Sequence, residues 1–364
     1  MQPPMDDLQE FHVLAGEMFK TSDSAERTRI MEQARSLNTS ISQSNLASWS
    51  IKVESRRRSK MLQEFLEEGE SYLDQQLEHV DKILRDTKAS KDRVRRAKKD
   101  RSFIRSFRES VPRIVHFIKS DNDASNFPLL WYLAVRSAFE KIKPDVIMFH
   151  SPVSPSGYWW ERSEPFLKLT PIHQLPSHIG GKPIGLVAHA ADLIRLELLD
   201  KYGGVYMDLD VISVNSFDPL FRYPFAVGLE KAVSGYEEVA SNAVIISRPK
   251  EYFLELMARN QASQFYPSDC YACHSVVMLR DLALRYSEIP KVVDYRGFAY
   301  PGWEEAAYYS LFASANPSDL DLSKTFAIHL FQSNGNMSPY REMLDETYIK
   351  AHDSNFNRIV RDYF

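Results

Sequence analysis

Along the first hundred residues the apolar positions keep helical spacing. Leu62, Leu66, Leu73, Leu77, Val80 and Leu84 fall three, four or seven apart, the pattern of one apolar stripe on an amphipathic helix. This region is poor in Gly and Pro and dense in Glu, Lys, Arg and Gln, so a helical hairpin or small bundle is expected over residues 1–105. From Val111 the texture changes. Short apolar runs bounded by Pro, Gly or Asn appear at 111–118, 145–150, 184–189, 203–214, 225–229, 242–247 and 325–331, each of strand length and strand composition. Helical periodicity lies between several of them, at 126–142, 190–201 and 250–260. Strands alternating with helices predict an α/β domain on a mostly parallel sheet over residues 106–364.

Composition narrows the class without changing that picture. Lys and Arg number 45 against 49 Asp and Glu, a net charge of −4, so no global field draws nucleic acid and none is expected as a partner. The basic stretch from Lys88 to Arg108 ends in Phe103, Ile104 and Phe107. It reads as a solvated helix face, or as a peripheral contact with an anionic membrane. The N-terminus is acidic where a signal peptide is basic, and no run of about 18 apolar residues occurs. The cytoplasm is the expected location, or the Golgi lumen if an N-terminal anchor has been removed. The two cysteines, Cys270 and Cys273, stand in a Cys-x-x-Cys-His pattern that also marks haem attachment. Placed inside the α/β region and without an export signal, it reads as a structural loop.

The chemistry concentrates between Ala188 and Val214. Asp192 and Arg195 sit three apart on a predicted helix and so share a face. Gly203 and Gly204 end that helix and leave room for a ligand. In the strand expected next, Tyr206, Asp208 and Asp210 alternate onto one side. Two carboxylates on one apolar strand repel, and burying them is costly unless a cation offsets the charge. Oxygen donors of this kind suit Mn²⁺ or Mg²⁺, whose remaining positions a diphosphate fills.

This ordered set, Asp-x-x-Arg, Gly-Gly, Tyr and Asp-x-Asp, resembles the sugar-nucleotide region of glycosyltransferase family 32, which shares its core with bacterial glucosylating toxins. The stretches at 111–119, 241–247 and 325–331 resemble that family's opening strand, its Asn-containing strand and its late His strand. The resemblance implies a GT-A fold, in which a mixed, mostly parallel sheet is flanked by helices, here with an N-terminal helical region. It also implies retaining transfer of a hexose or N-acetylhexosamine from a nucleotide sugar, expected to be a UDP-sugar, to a glycan, glycolipid or protein acceptor. By position, Asp208 corresponds to the residue touching ribose, sugar and metal, and Asp210 to the direct metal ligand. Asp192 and Arg195 correspond to the pair that holds the sugar hydroxyls, and His329 to a late ligand of metal or diphosphate. Asn242 is expected to reach sugar or acceptor, and His116 to orient the nucleotide. Trp159 and Trp160 form an acceptor platform or cover the sheet. Lys119 and Phe331 stand where the family carries Trp.

Two other classes fit the Asp pair alone. Phosphatases of the haloacid dehalogenase type use Asp-x-Asp after an apolar strand, but usually continue with a small polar residue where this chain has Val211 and Ile212. A nucleotide-sugar-binding protein without turnover is the non-enzymatic reading.

Overall fold

A computed structural model of the chain describes residues 64, 70–86, 88–125, 127–231, 239–265 and 273–364. The chain divides into two compact units, 1–72 and 73–364. Leu62 and Leu66 of the expected apolar stripe lie outside the described residues. Its remainder falls on helix α1 (Glu70–Arg85), where Leu73 and Val80 are buried while Leu77 and Leu84 are half-buried. Helix α2 (Lys91–Glu109) carries the basic stretch. Most of its described Lys and Arg side chains are exposed while Ala97 and Ile104 are buried, and Arg101 pairs with Asp81 of α1 at 2.9 Å. The boundary expected at 105 falls inside this helix. Among the described residues no helix is long and apolar enough to cross a membrane.

The strands are β1 (Ile114–Ile118), β2 (Val146–Ser151), β3 (Lys168–Pro171), β4 (His178–Ile179), β5 (Lys182–Pro183), β6 (Gly204–Met207), β7 (Val211–Ser213), β8 (Phe225–Glu230), β9 (Val239–Ser247), β10 (Lys291–Val293) and β11 (Ala327–His329). Among the described residues the main sheet has seven strands in the order β10-β8-β9-β6-β1-β2-β3. Only β9 runs against its neighbours, pairing antiparallel with both β6 and β8, while β1, β2, β3 and β6 are parallel. This is the mixed, mostly parallel sheet flanked by helices that the resemblance implies.

Alternation along the strands gives the sheet two apolar faces. Val115, Phe117, Val205 and Met207 pack with α3 (Leu129–Ile142) in one core. Tyr206, Phe225, Val227 and Ile245 pack with α5 (Val187–Tyr202), α6 (Tyr252–Gln264) and α7 (Met278–Arg285) in the other. The short helix α4 (Tyr158–Ser163) lies in the first core through Trp160.

Two expectations need correction. The run at 184–189 is not a strand: after β5 it enters α5, whose first residue is Val187. A short apolar run fits a strand and a buried helix turn equally, and here the long helix that follows decides. The run at 203–214 is not one strand either. It breaks after Met207, and Asp208 to Asp210 form a turn closed by the Val211 N–H donating to the Asp208 carbonyl at 3.1 Å. Beyond it, β7 leaves the main sheet and pairs with β11.

Candidate active site

Strand β1 lies between the parallel strands β6 and β2, and the carboxyl ends of such strands are where open α/β sheets take ligands. The turn after β6 lies at the carboxyl end of that strand. Helix α5 reaches this turn because it ends directly before β6, at Gly203 (φ 62°) and Gly204 (φ 104°). A Cβ on Gly203 would stand 2.6 Å from the Pro249 Cδ, and one on Gly204 2.4 Å from the Ile114 carbonyl oxygen. The room at these glycines is therefore filled by the protein's own chain, and they serve a tight helix-to-strand junction. His116 braces that junction. Its Nε2 bonds the Gly203 carbonyl at 2.9 Å and its Nδ1 bonds the His150 ring at 3.0 Å. Burial lowers its pKa to about 4. The ring is fully buried with both nitrogens engaged, so its role is to hold the Gly-Gly turn.

Five residues interlock beside the turn after β6. The Arg195 Nη2 lies 3.1 Å from the Asp192 Oδ1 and 3.5 Å from the Asp208 Oδ1. Its Nη1 donates to the Asn242 carbonyl at 2.7 Å, and the Asn242 side-chain amide donates to Asp192 at 2.7 Å. The guanidinium rests on the Tyr206 ring, 4.4 Å from its centroid, and the Tyr206 hydroxyl donates to Asp208. Asp192, Arg195, Tyr206, Asp208 and Asn242 thus form one network, as a fixed fork of guanidinium donors allows.

The Asp208, Asp210 and His329 side chains offer ligand atoms that all lie within 4.8 Å of one another. His329 arrives on β11 opposite Val211, so the small β7–β11 ladder brings it to the turn. Its Nε2 lies 3.4 Å from the Asp210 Oδ1, and its Nδ1 is buried without a hydrogen-bond partner. Two carboxylates and an imidazole with an unused nitrogen fit a divalent cation. Burial raises the Asp208 pKa against the pull of Arg195, and Asp210 adds to the rise. Burial acts the same way on Asp210, but His329 and the Gln332 N–H override it and hold that carboxyl below its ordinary range. Burial opposes a charge on His329 too, yet Asp210 raises its pKa to about 9.

Several contributors were not evident in the sequence. The Gln332 N–H donates to the Asp210 Oδ2 at 2.8 Å, an approach made by Phe331 at φ 47°, and no residue type marks a backbone donor. Glu230, at the end of β8, has its pKa raised by burial and senses the charges of both His329 and Asp208. Its only signal was a carboxylate closing an apolar run. Phe331 covers His329, with ring centroids 3.8 Å apart. Lys119 is buried and ion-paired with Asp121, so it offers no ring at the end of β1. Trp160 is core and Trp159 packs on Tyr132 and Phe364, which places both over the sheet. Cys273 is disulfide-bonded. Cys270 lies outside the described residues.

Residues 163–226 match the family described as glycosyltransferase sugar-binding region containing DXD motif. Over 264 residues, 70% of each chain, the sequence is 30% identical to glucan organizing enzyme 1 of Cryptococcus neoformans var. grubii. The chain belongs to the DXD glycosyltransferases. This glycosyltransferase is also 36% identical over 98 residues to an uncharacterised Arabidopsis thaliana protein, covering 27% of this chain and 14% of that one. Among solved structures it is similar to the PaToxG glycosyltransferase (14% identity, 74% of this chain and 96% of that one, TM-score 0.36). It is also similar to the galactosyltransferase LgtC (13% identity, 65% and 98%, TM-score 0.36). Family membership replaces the phosphatase reading of the Asp pair.

Proposed function

We propose that this glycosyltransferase is metal-dependent and retaining, and moves a hexose or N-acetylhexosamine from a nucleotide sugar, foremost a UDP-sugar, to a glycan, glycolipid or protein acceptor. One observation carries the reading. Arg195 joins Asp192, the carboxylate assigned to the sugar, to Asp208, the carboxylate assigned to the metal. Donor sugar and diphosphate would then be held by one rigid network. Asp208, Asp210 and His329 are the residues to hold Mn²⁺ or Mg²⁺, which when bound supplies positive charge against the departing diphosphate. Arg195 keeps Asp208 oriented, and Asp192 with Asn242 accepts and donates to sugar hydroxyls. The Gln332 N–H and the Leu330 N–H, which donates to the Asp210 carbonyl at 2.9 Å, hold Asp210 in place without cost at the moment of transfer. Retention and the acceptor classes rest on the family resemblance.

A donor screen by thermal shift with Mn²⁺ tests this. A true donor at a hundred times its dissociation constant stabilises the fold by about 2.7 kcal/mol. Product analysis of the selected donor then reports the anomeric configuration. No shift with any nucleotide sugar, or a metal-independent one, would refute the reading.

A further inference from the structure

Beside the Asp192–Arg195 pair lies a cavity of about 10 Å³, room for a single water-sized group. Its polar lining is Asp192, Arg195, Asn242, Gln261 of α6, His274 and Ser275, with apolar side chains between them. Gln261 is 2% exposed, and its side-chain Oε1 is buried with no hydrogen-bond partner. Buried amide oxygens are almost always satisfied, and an exception calls for an explanation. Here the residue that carries the unsatisfied atom lines the same cavity as the network that holds donor hydroxyls in the proposed function.

We propose that Gln261 is a specificity-determining residue whose side-chain amide receives one hydroxyl of the donor sugar in this cavity. The inference rests on the nucleotide-sugar reading above and deepens it. Size and chemistry both select a hydroxyl. The cavity takes one heavy atom, whereas an acetamido group brings four. A hydroxyl donates and accepts, so it satisfies the amide in either of its two orientations. A sugar lacking that hydroxyl leaves Gln261 unpaired, the situation in which enzymes discriminate most strongly. A sugar carrying N-acetyl at that carbon does not fit. The amide meets the sugar at a hydroxyl remote from the bond that breaks, so Gln261 sets which donor is held.

The test measures dissociation constants, with Mn²⁺, of wild type, Gln261→Leu and Gln261→Met. The ligands are UDP, UDP-glucose, UDP-galactose, their N-acetylated counterparts, and the monodeoxy forms of the tighter hexose. One deoxy form is expected to bind wild type about tenfold or more weakly than its parent, and that penalty should vanish in both variants. UDP alone should bind all three proteins equally, which establishes that the variants are folded. If the sugar nucleotides bind and every deoxy penalty persists in the variants, the cavity holds a structural water and the inference is overturned, with the donor reading intact. If no sugar nucleotide binds wild type better than UDP, the donor reading itself fails and takes this inference with it.

Discussion

Arg195→Lys keeps the charge and nearly the length, and the structure says it will still fail. The guanidinium makes four polar contacts: to Asp192 at 3.1 Å, Asp208 at 3.5 Å, the Asn242 carbonyl at 2.7 Å and the Ala191 carbonyl at 3.3 Å. Its side chain is 6% exposed, so water does not replace what is lost. An ammonium is a compact point charge that cannot span these partners, which lie on α5, the turn and β9. If it stays with Asp192, the two carbonyls lose charge-assisted donors. At roughly 1.5 kcal/mol each, the fold loses about 3 kcal/mol. Asp208, no longer held, should cost turnover about 10²-fold to 10³-fold, as removal of one preorganised donor typically does. Urea unfolding at pH 7 measures the first number. Single-turnover hydrolysis of the selected donor with Mn²⁺ measures the second. Stability within about 0.5 kcal/mol of wild type, together with unchanged turnover, would show that Arg195 is only a partner on its own helix.

The two aspartates of the turn should respond oppositely in metal-free protein, read by thermal unfolding in EDTA. Asp210 has its folded pKa depressed, so its ionised form stabilises the fold above the unfolded value, and Asp210→Asn should lower the Tm. Asp208 has its pKa raised by burial, so Asp208→Asn should raise the Tm. Both variants should abolish Mn²⁺-dependent turnover, and a shared direction in Tm would contradict the charge assignment. With a folded pKa of about 9, His329 contributes stability that is complete below its unfolded value of about 6.5 and is lost as pH rises through 9. The metal-free Tm should therefore fall over that window and flatten in His329→Asn, while Mn²⁺ affinity in wild type rises because binding releases the proton. A pH-independent affinity between 6.5 and 9 would remove His329 from the ligand set. Gly204→Ala places a methyl 2.4 Å from the Ile114 carbonyl at φ 104°. It should cost about 3 kcal/mol, and a loss under 1 kcal/mol in urea unfolding would mean the junction can shift.

Local pattern determined much of this protein. Short apolar runs bounded by turn residues located β1, β2, β6, β8, β9 and β11, and helical spacing located α3, α5 and α6, because run length and helix period are properties of neighbouring residues. The order Asp192, Arg195, Gly203, Gly204, Asp208, Asp210 was legible as site chemistry for the same reason: those residues lie within one helix, one junction and one turn. Alternation was nevertheless the wrong route to the paired carboxylates. A turn converges them, and that turn exists only because β7 abandons the main sheet for β11. Nothing near residue 210 announces His329 or the Gln332 N–H, which stands 122 positions away in sequence and 2.8 Å away in space. The same holds for Gln261, in the last turn of α6, and for His116, a lone histidine in an apolar strand whose ring bonds the Gly203 carbonyl. Tertiary structure alone decided which buried charges oppose and which relieve one another. Those balances depend on desolvation and on partners that distant segments bring together, and neither is a property of any local stretch of chain.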